Sequence, residues 1–119
     1  LTEGIIDLEG RMHEMAGIFP AKARMLNKRK SLGYVSVETI DDTILAQRGS
    51  KIRGHEFHYS EIDMPDEIKR AYKVTKAGNG HEWVEGYCYK NVLASYVHIH
   101  FGSNMEWAKK IIKKGMVAA

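Results

Sequence analysis

GYCYKNVLASYVHIHFGSN, residues 86–104, is the stretch from which the rest of the chain is read. Its middle, Val92 to Phe101, has strand composition. Alternation puts Val92, Ala94, Tyr96, His98 and His100 on one face and Leu93, Ser95, Val97, Ile99 and Phe101 on the other. Gly102, Ser103 and Asn104 then break the strand. Two imidazoles therefore stand at its predicted C-terminal end, where α/β folds commonly gather their chemistry.

Downstream, Ser103 and Glu106 have the spacing of a capping box, so a helix is expected to start there. Trp107, Ala108, Ile111 and Ile112 form its apolar stripe, Lys109, Lys110, Lys113 and Lys114 its polar face, and Gly115 its stop. Upstream, Tyr87 to Tyr89 reads as a separate short strand. Ala71 to Thr75 and His81 to Val84 flank KAGNG, whose Asn79-Gly80 pair is a hairpin signal. Met64 to Arg70 is polar, carries a proline, and reads as surface linker.

Lys51 to Ile62 is extended, with His55, Phe57 and Tyr59 on one face and Glu56, His58 and Ser60 on the other; Gly54 suggests a close backbone approach. Tyr34 to Ile40 alternates, with Val35 and Val37 on one face, and predicts a half-buried strand entered through Gly33. Asp41 and Asp42 turn the chain, and Thr43 to Ala46 is read as a short strand before a turn at Arg48 to Ser50. Met15 to Phe19 is expected as a buried strand closed by Pro20, and Ala21 to Lys30 as a helical turn or irregular link. Leu1 to Leu8 reads as the last turns of a helix stopped by Gly10. There is no internal repeat and no low-complexity tract.

Composition bounds the class. A chain of 119 residues with 44% hydrophobic and 28% charged content suits one domain with a modest core. The net charge of +3 sets 18 basic against 15 acidic residues, too weak an excess to argue for nucleic acid. Lys22, Arg24, Lys28, Arg29 and Lys30 read as a solvated basic face, with an anionic partner as the alternative. The single cysteine, Cys88, forms no intrachain disulfide, and no long apolar run or signal-like start is present, so no membrane partner and a cytoplasmic location are expected. The first residue is Leu1, and the opening reads as the end of an element, so a piece of something longer is expected.

The pair His98 and His100 leaves three readings open: a general base, metal ligands, or polar residues facing solvent. A metal needs at least a third ligand, which His55 or His58 would have to supply. The tightly spaced Cys or acidic partners typical of zinc sites are missing, and no metal is assigned. In GHEFHYS, His55 and His58 face opposite ways on a strand, and a turn after His58 exposes the Tyr59 and Ser60 amides; an ordinary polar strand edge is the alternative. Cys88, between Tyr87 and Tyr89, lacks the sharp turn or helix N-terminus of a nucleophilic thiol and reads as packing.

The blocks MAGIFPAKARM, LGYVSVE, RGHEFHYSEI and EGYCYKNVLASYVHIHFGSN, in this order from Met15 to Asn104, resemble the C-terminal part of the cobyrinic acid a,c-diamide synthase family. The same blocks occur in related enzymes that amidate nickel sirohydrochlorin or similar tetrapyrroles. The resemblance implies an α/β fold: a class I glutamine amidotransferase-like (flavodoxin-like) mixed sheet with flanking helices, its N-terminal part missing. Residues 1–119 would be the C-terminal part of the amidotransferase domain. The upstream nucleophile segment and the ATP-dependent synthase domain, with its ATP and Mg, would lie outside, and no cofactor is expected on this piece.

By the same resemblance His98 takes the position of the catalytic base, and the main chain of His58, Tyr59 and Ser60 lies beside bound glutamine. His100 stands where triad amidotransferases carry an acidic residue, so the site resembles a Cys-His dyad with His100 as an orienting candidate. Cys88 does not match the Gly-flanked nucleophile, so this piece alone is expected to be inactive. The implied partners of the whole enzyme are glutamine and a tetrapyrrole, either cobyrinate or a sirohydrochlorin type. A non-catalytic binding or assembly module with the same fold is the alternative, and self-association through an unpaired sheet edge is expected of the piece.

Overall fold

Strands dominate the molecule because most of its apolar residues alternate. The computed structural model describes residues 1–118 and places them in ten strands and one helix: β1 (Thr2–Ile6), β2 (Met12–Glu14), β3 (Phe19–Met25), β4 (Ser31–Thr39), β5 (Lys51–His58), β6 (Ser60–Ile62), β7 (Lys69–Lys76), β8 (Glu82–Tyr89), β9 (Val92–Ala94), β10 (His98–Ile99) and α1 (Met105–Ala118). A short 3-10 turn, Phe101–Ser103, leads into α1.

Two sheets form. The smaller, in order β2-β1-β3-β6, is mixed, since β1 and β3 run parallel. The larger, in order β10-β5-β4-β7-β8-β9, is antiparallel at every pairing. Its two edge strands, β9 and β10, are consecutive in the chain and separated only by Ser95, Tyr96 and Val97. Four residue steps span at most about 14 Å, so the sheet must curl until its edges nearly meet.

The inner face of this curl is the main core. Val35 and Val37 of β4, Ile52 of β5, Tyr72 and Val74 of β7, and Val97 pack there. Trp107 of α1 closes one end: it is 1% exposed, lies near the Tyr72 ring, and donates from Nε1 to Ser50 Oγ at 2.8 Å. A second cluster, Phe19, Ala21 and Met64, packs with Tyr87, Val92 and Ala94 and seats the small sheet on the large one.

The α/β expectation holds, with α1 the one α-helix among the described residues. The β4 strand, with Val35 and Val37 inward, and the β7-β8 hairpin form as read. At the hairpin tip the positive φ values fall on Gly78 and Gly80, and Asn79 accepts a hydrogen bond from the His81 amide through Oδ1.

Several local readings are corrected. Leu1 to Leu8 holds strand β1 instead of helix, because Ile5 and Ile6 gain ladder partners on both sides. Met15 to Ile18 is irregular and exposed, and the strand begins at Phe19 and runs through Pro20. The register of β1 against β3 shifts between Thr2 and Gly4, an irregularity that takes up the proline's missing donor. Ala21 to Met25, read as helical turn or link, continues β3.

Thr43 to Ala46 is a turn in which Thr43 Oγ1 accepts from the Leu45 and Ala46 amides, both at 3.0 Å. Met64 is buried rather than linker surface, and Lys69 and Arg70 open β7. Tyr87 to Tyr89 is the continuation of β8. The helix is capped by Asn104, whose Oδ1 accepts from the Glu106 amide, while Ser103 Oγ donates to the His100 carbonyl and accepts from the Arg53 amide. Gly115 does not stop α1, which runs to Ala118, and Ile111 and Ile112 remain exposed.

Candidate active site

The expected single strand from Val92 to Phe101 is two strands with a break. β9 pairs with β8 through Tyr87↔Ala94, Cys88↔Leu93 and Tyr89↔Val92; the chain then leaves the ladder at Ser95 and re-enters on the far edge of the sheet. There His98 pairs with His55 and Ile99 with Gly54, and the His100 amide donates to the Arg53 carbonyl at 2.8 Å. The break has an identifiable cause. Ser95 Oγ donates to the buried carboxylate of Glu85 and accepts from the Val97 amide at 2.9 Å, which turns the chain.

The register decides which way each side chain points. Along β5, Ile52, Gly54 and Glu56 are buried and Lys51, Arg53 and Phe57 are exposed, so the first set faces the core. Directly opposed residues in an antiparallel pair share a face. His98 therefore stands with His55 on the outward face, exposed, beside Tyr34, whose ring meets His55 edge-on at 5.4 Å. His100 lies outward too, opposite Arg53; its ring rests against Gly102, with Nε2 3.3 Å from where a β-carbon there would stand.

The bend at His58–Ser60 joins β5 to β6. The His58 and Tyr59 carbonyls accept from the Lys30 and Leu26 amides at 2.9 and 2.8 Å, tying the bend to the connection between β3 and β4. His58 Nδ1 donates to the Ser60 carbonyl at 2.8 Å. Nε2 lies 3.9 Å from Glu56 Oε2, within charge range though not hydrogen-bonded. The His58 ring stacks on Tyr96 with centroids 3.9 Å apart and planes 10° from parallel, and Tyr96 Oη shares a 2.8 Å hydrogen bond with Ser60 Oγ. Tyr59 points outward and packs edge-on against Phe57.

On the inward side of this bend the curl opens into a cavity of about 320 Å³ lined by Glu56, His58, Lys76, Trp83, Glu85 and Tyr96 among others. Glu56 and Glu85 are only 3% and 4% exposed. Ser31 Oγ donates to Glu56 Oε2 at 2.7 Å. Burial pushes the Glu85 carboxyl above its ordinary value, and the neighbouring Glu56 adds to the rise against the opposing Ser95 hydrogen bond. A larger cavity, about 770 Å³, lies between α1 and Leu45 to Ser50 at the other end of the curl and contains none of the site residues expected from sequence.

Sequence reasoning placed Glu56, His58 and Ser60 together on one face but missed that this face is interior. The signal was there in Ile52 and Gly54, which share their phase. Glu85 and Tyr96 carried no such signal. Cys88 lies partly buried on β8 with its thiol pushed up by burial, the opposite of an activated nucleophile. Among the described residues no group of three or more His, Cys, Asp or Glu is arranged to hold a metal ion, and no helix is long and apolar enough to cross a membrane.

Residues 1–106 match the family model of the CobB/CobQ-like glutamine amidotransferase domain. The chain belongs to that family. Among the relatives of this amidotransferase domain, the cobyrinate a,c-diamide synthase of Caldanaerobacter subterraneus subsp. tengcongensis is 37% identical over 114 residues, 96% of this chain and 25% of that protein. The cobyrinate a,c-diamide synthase of Leptospira interrogans is 37% identical over 115 residues, covering 95% of this chain and 25% of its own length. That of Dehalococcoides mccartyi is 37% identical over 124 residues, covering 99% and 26%. The chain thus spans about a quarter of the length of the curated relatives it matches.

Proposed function

We propose that this chain is the C-terminal part of the amidotransferase domain of an ATP-dependent, glutamine-hydrolysing synthase that amidates the a and c carboxylates of cobyrinate in cobalamin biosynthesis. The observation that carries the reading is 37% identity, over 95–99% of the chain, to proteins named cobyrinate a,c-diamide synthase.

In this reading His98 takes the thiol proton of an upstream cysteine, the thiolate attacks the glutamine side-chain carbonyl, and the imidazolium returns the proton to the leaving ammonia. Water, deprotonated by the same ring, then hydrolyses the thioester to glutamate. The main chain of His58, Tyr59 and Ser60 holds the substrate's amino-acid end, and His100 is the candidate for orienting His98. The exposed outward position of His98 supports this, since an incoming thiol has open access to its ring.

ATP and Mg belong to the synthase domain, where ATP activates the carboxylates. Among the described residues no group of three or more His, Cys, Asp or Glu is arranged to hold a metal ion, and no step is assigned to ATP or Mg on this chain. Glutamine-dependent and ammonia-dependent amidation by the full-length protein provide the test. His98→Ala is expected to lower the first by at least about a thousandfold while leaving the second intact, in line with the loss of a catalytic base. Undiminished glutamine hydrolysis in that variant would remove His98 from the mechanism.

A further inference from the structure

The bend that the proposed function assigns to glutamine and the strand that carries its base are joined by very few contacts. The β5-β10 ladder reaches only from Gly54 to His55, three residues short of His58. Beyond it, Tyr96 is the described side chain that bridges the two segments. Its ring faces inward, stacked on His58 at 3.9 Å and hydrogen-bonded to Ser60 Oγ at 2.8 Å, while two residues later His98 faces outward.

We propose that Tyr96 is a positioning residue for glutamine turnover, clamping the His58–Ser60 bend to the His98 strand so that bound substrate and base keep one fixed separation. The connector on which Tyr96 sits has little ladder support of its own. Ser95 is held by Glu85 and Val97 is packed against Gly54, so both flanks of Tyr96 are anchored while its ring makes the link to the bend. An aromatic stack plus a hydroxyl bond fixes both distance and rotation of the bend, which a purely apolar contact would leave free to slide. The inference rests on the proposed function, because only there do the bend and His98 act on one substrate.

Steady-state glutamine hydrolysis by the full-length enzyme tests it. Tyr96→Phe keeps the stack and removes the hydroxyl bond, and Ser60→Ala removes the same bond from the other side. Each is expected to lower kcat for glutamine hydrolysis about fivefold, the usual worth of one hydrogen bond, with KM within about twofold, because a base held at the wrong separation slows the chemical step more than it weakens binding. The double variant should match either single one instead of reaching the product of the two, because both delete one interaction. Tyr96→Leu, which also removes the stack, should lower kcat further. A kcat within twofold of the parent in Tyr96→Phe, or effects that multiply in the double variant, would overturn the role of Tyr96. Full glutamine hydrolysis in His98→Ala would instead overturn the proposed function and this inference with it.

Discussion

Gly54→Ala tests how the His98 strand is held. The Gly54 backbone does not occupy the left-handed region, so the cost of a side chain there is one of space alone. A β-carbon at Gly54 would stand 2.5 Å from Val97 Cγ1 and 3.0 Å from the His98 carbonyl oxygen. Ordinary contact begins near 3.4 Å, so Val97 must retreat by about 1 Å or more, and the main chain of His98 by a few tenths, a strain of roughly 1–3 kcal/mol. Against this, β10 is tied to β5 by the pairs His98↔His55 and Ile99↔Gly54 and by the bond from the His100 amide to Arg53. At about 1 kcal/mol net for each backbone hydrogen bond, that hold is of the same size as the strain.

The strand should therefore loosen locally before the molecule unfolds. Urea denaturation is expected to show a loss of about 1–3 kcal/mol, and hydrogen exchange of the His100 amide should accelerate about tenfold to a hundredfold, while amides of β4 and β7 change only with global stability. Under the proposed function, the same substitution in the full-length protein should reduce glutamine hydrolysis more than ammonia-dependent amidation. A variant with parental stability within about 0.5 kcal/mol and unchanged exchange at His100 would refute the close approach of β5 and β10.

Trp107→Ala should cost about 3–5 kcal/mol, and because Ile111 and Ile112 are exposed, α1 should lose helical circular dichroism before the sheet reports unfolding through Trp83 fluorescence. Glu85 carries a raised carboxyl, so its share of stability is full below the ordinary carboxylate range and is lost as pH rises through the raised value; Glu85→Gln should flatten urea stability across that window, and an unchanged slope would refute the burial argument. Cys88 should react with iodoacetamide more slowly than free cysteine at neutral pH, and faster reaction would contradict its raised thiol. Phe57→Asp lies on the exposed outward face and gives up the edge-on contact with Tyr59, so it should lower the stability of this chain by about 1 kcal/mol; under the proposed function it should also impair glutamine hydrolysis in the full-length protein, where a thiol-bearing segment would approach that face.

The β4 strand was legible because Val35 and Val37 alternate with Ser36 and Glu38, and the β7-β8 hairpin because a Gly-rich turn joins its two strands. Gly54 was legible as a place of close approach for the same local reason. The break at Ser95 to Val97 was not, because period-2 reasoning assumes that a strand continues while its composition does, and what stops this one is a polar contact with a residue ten positions earlier, Glu85. A buried glutamate is invisible to a hydropathy pattern. The consequence reaches the chemistry: an uninterrupted strand would put Tyr96 and His98 on the same face, whereas the turn sends Tyr96 inward to His58 and Ser60 and His98 outward to His55. The Ser95-Glu85 contact thus converts two neighbours in sequence into opposite sides of one sheet, Tyr96 bonded to the bend and His98 exposed beside His55.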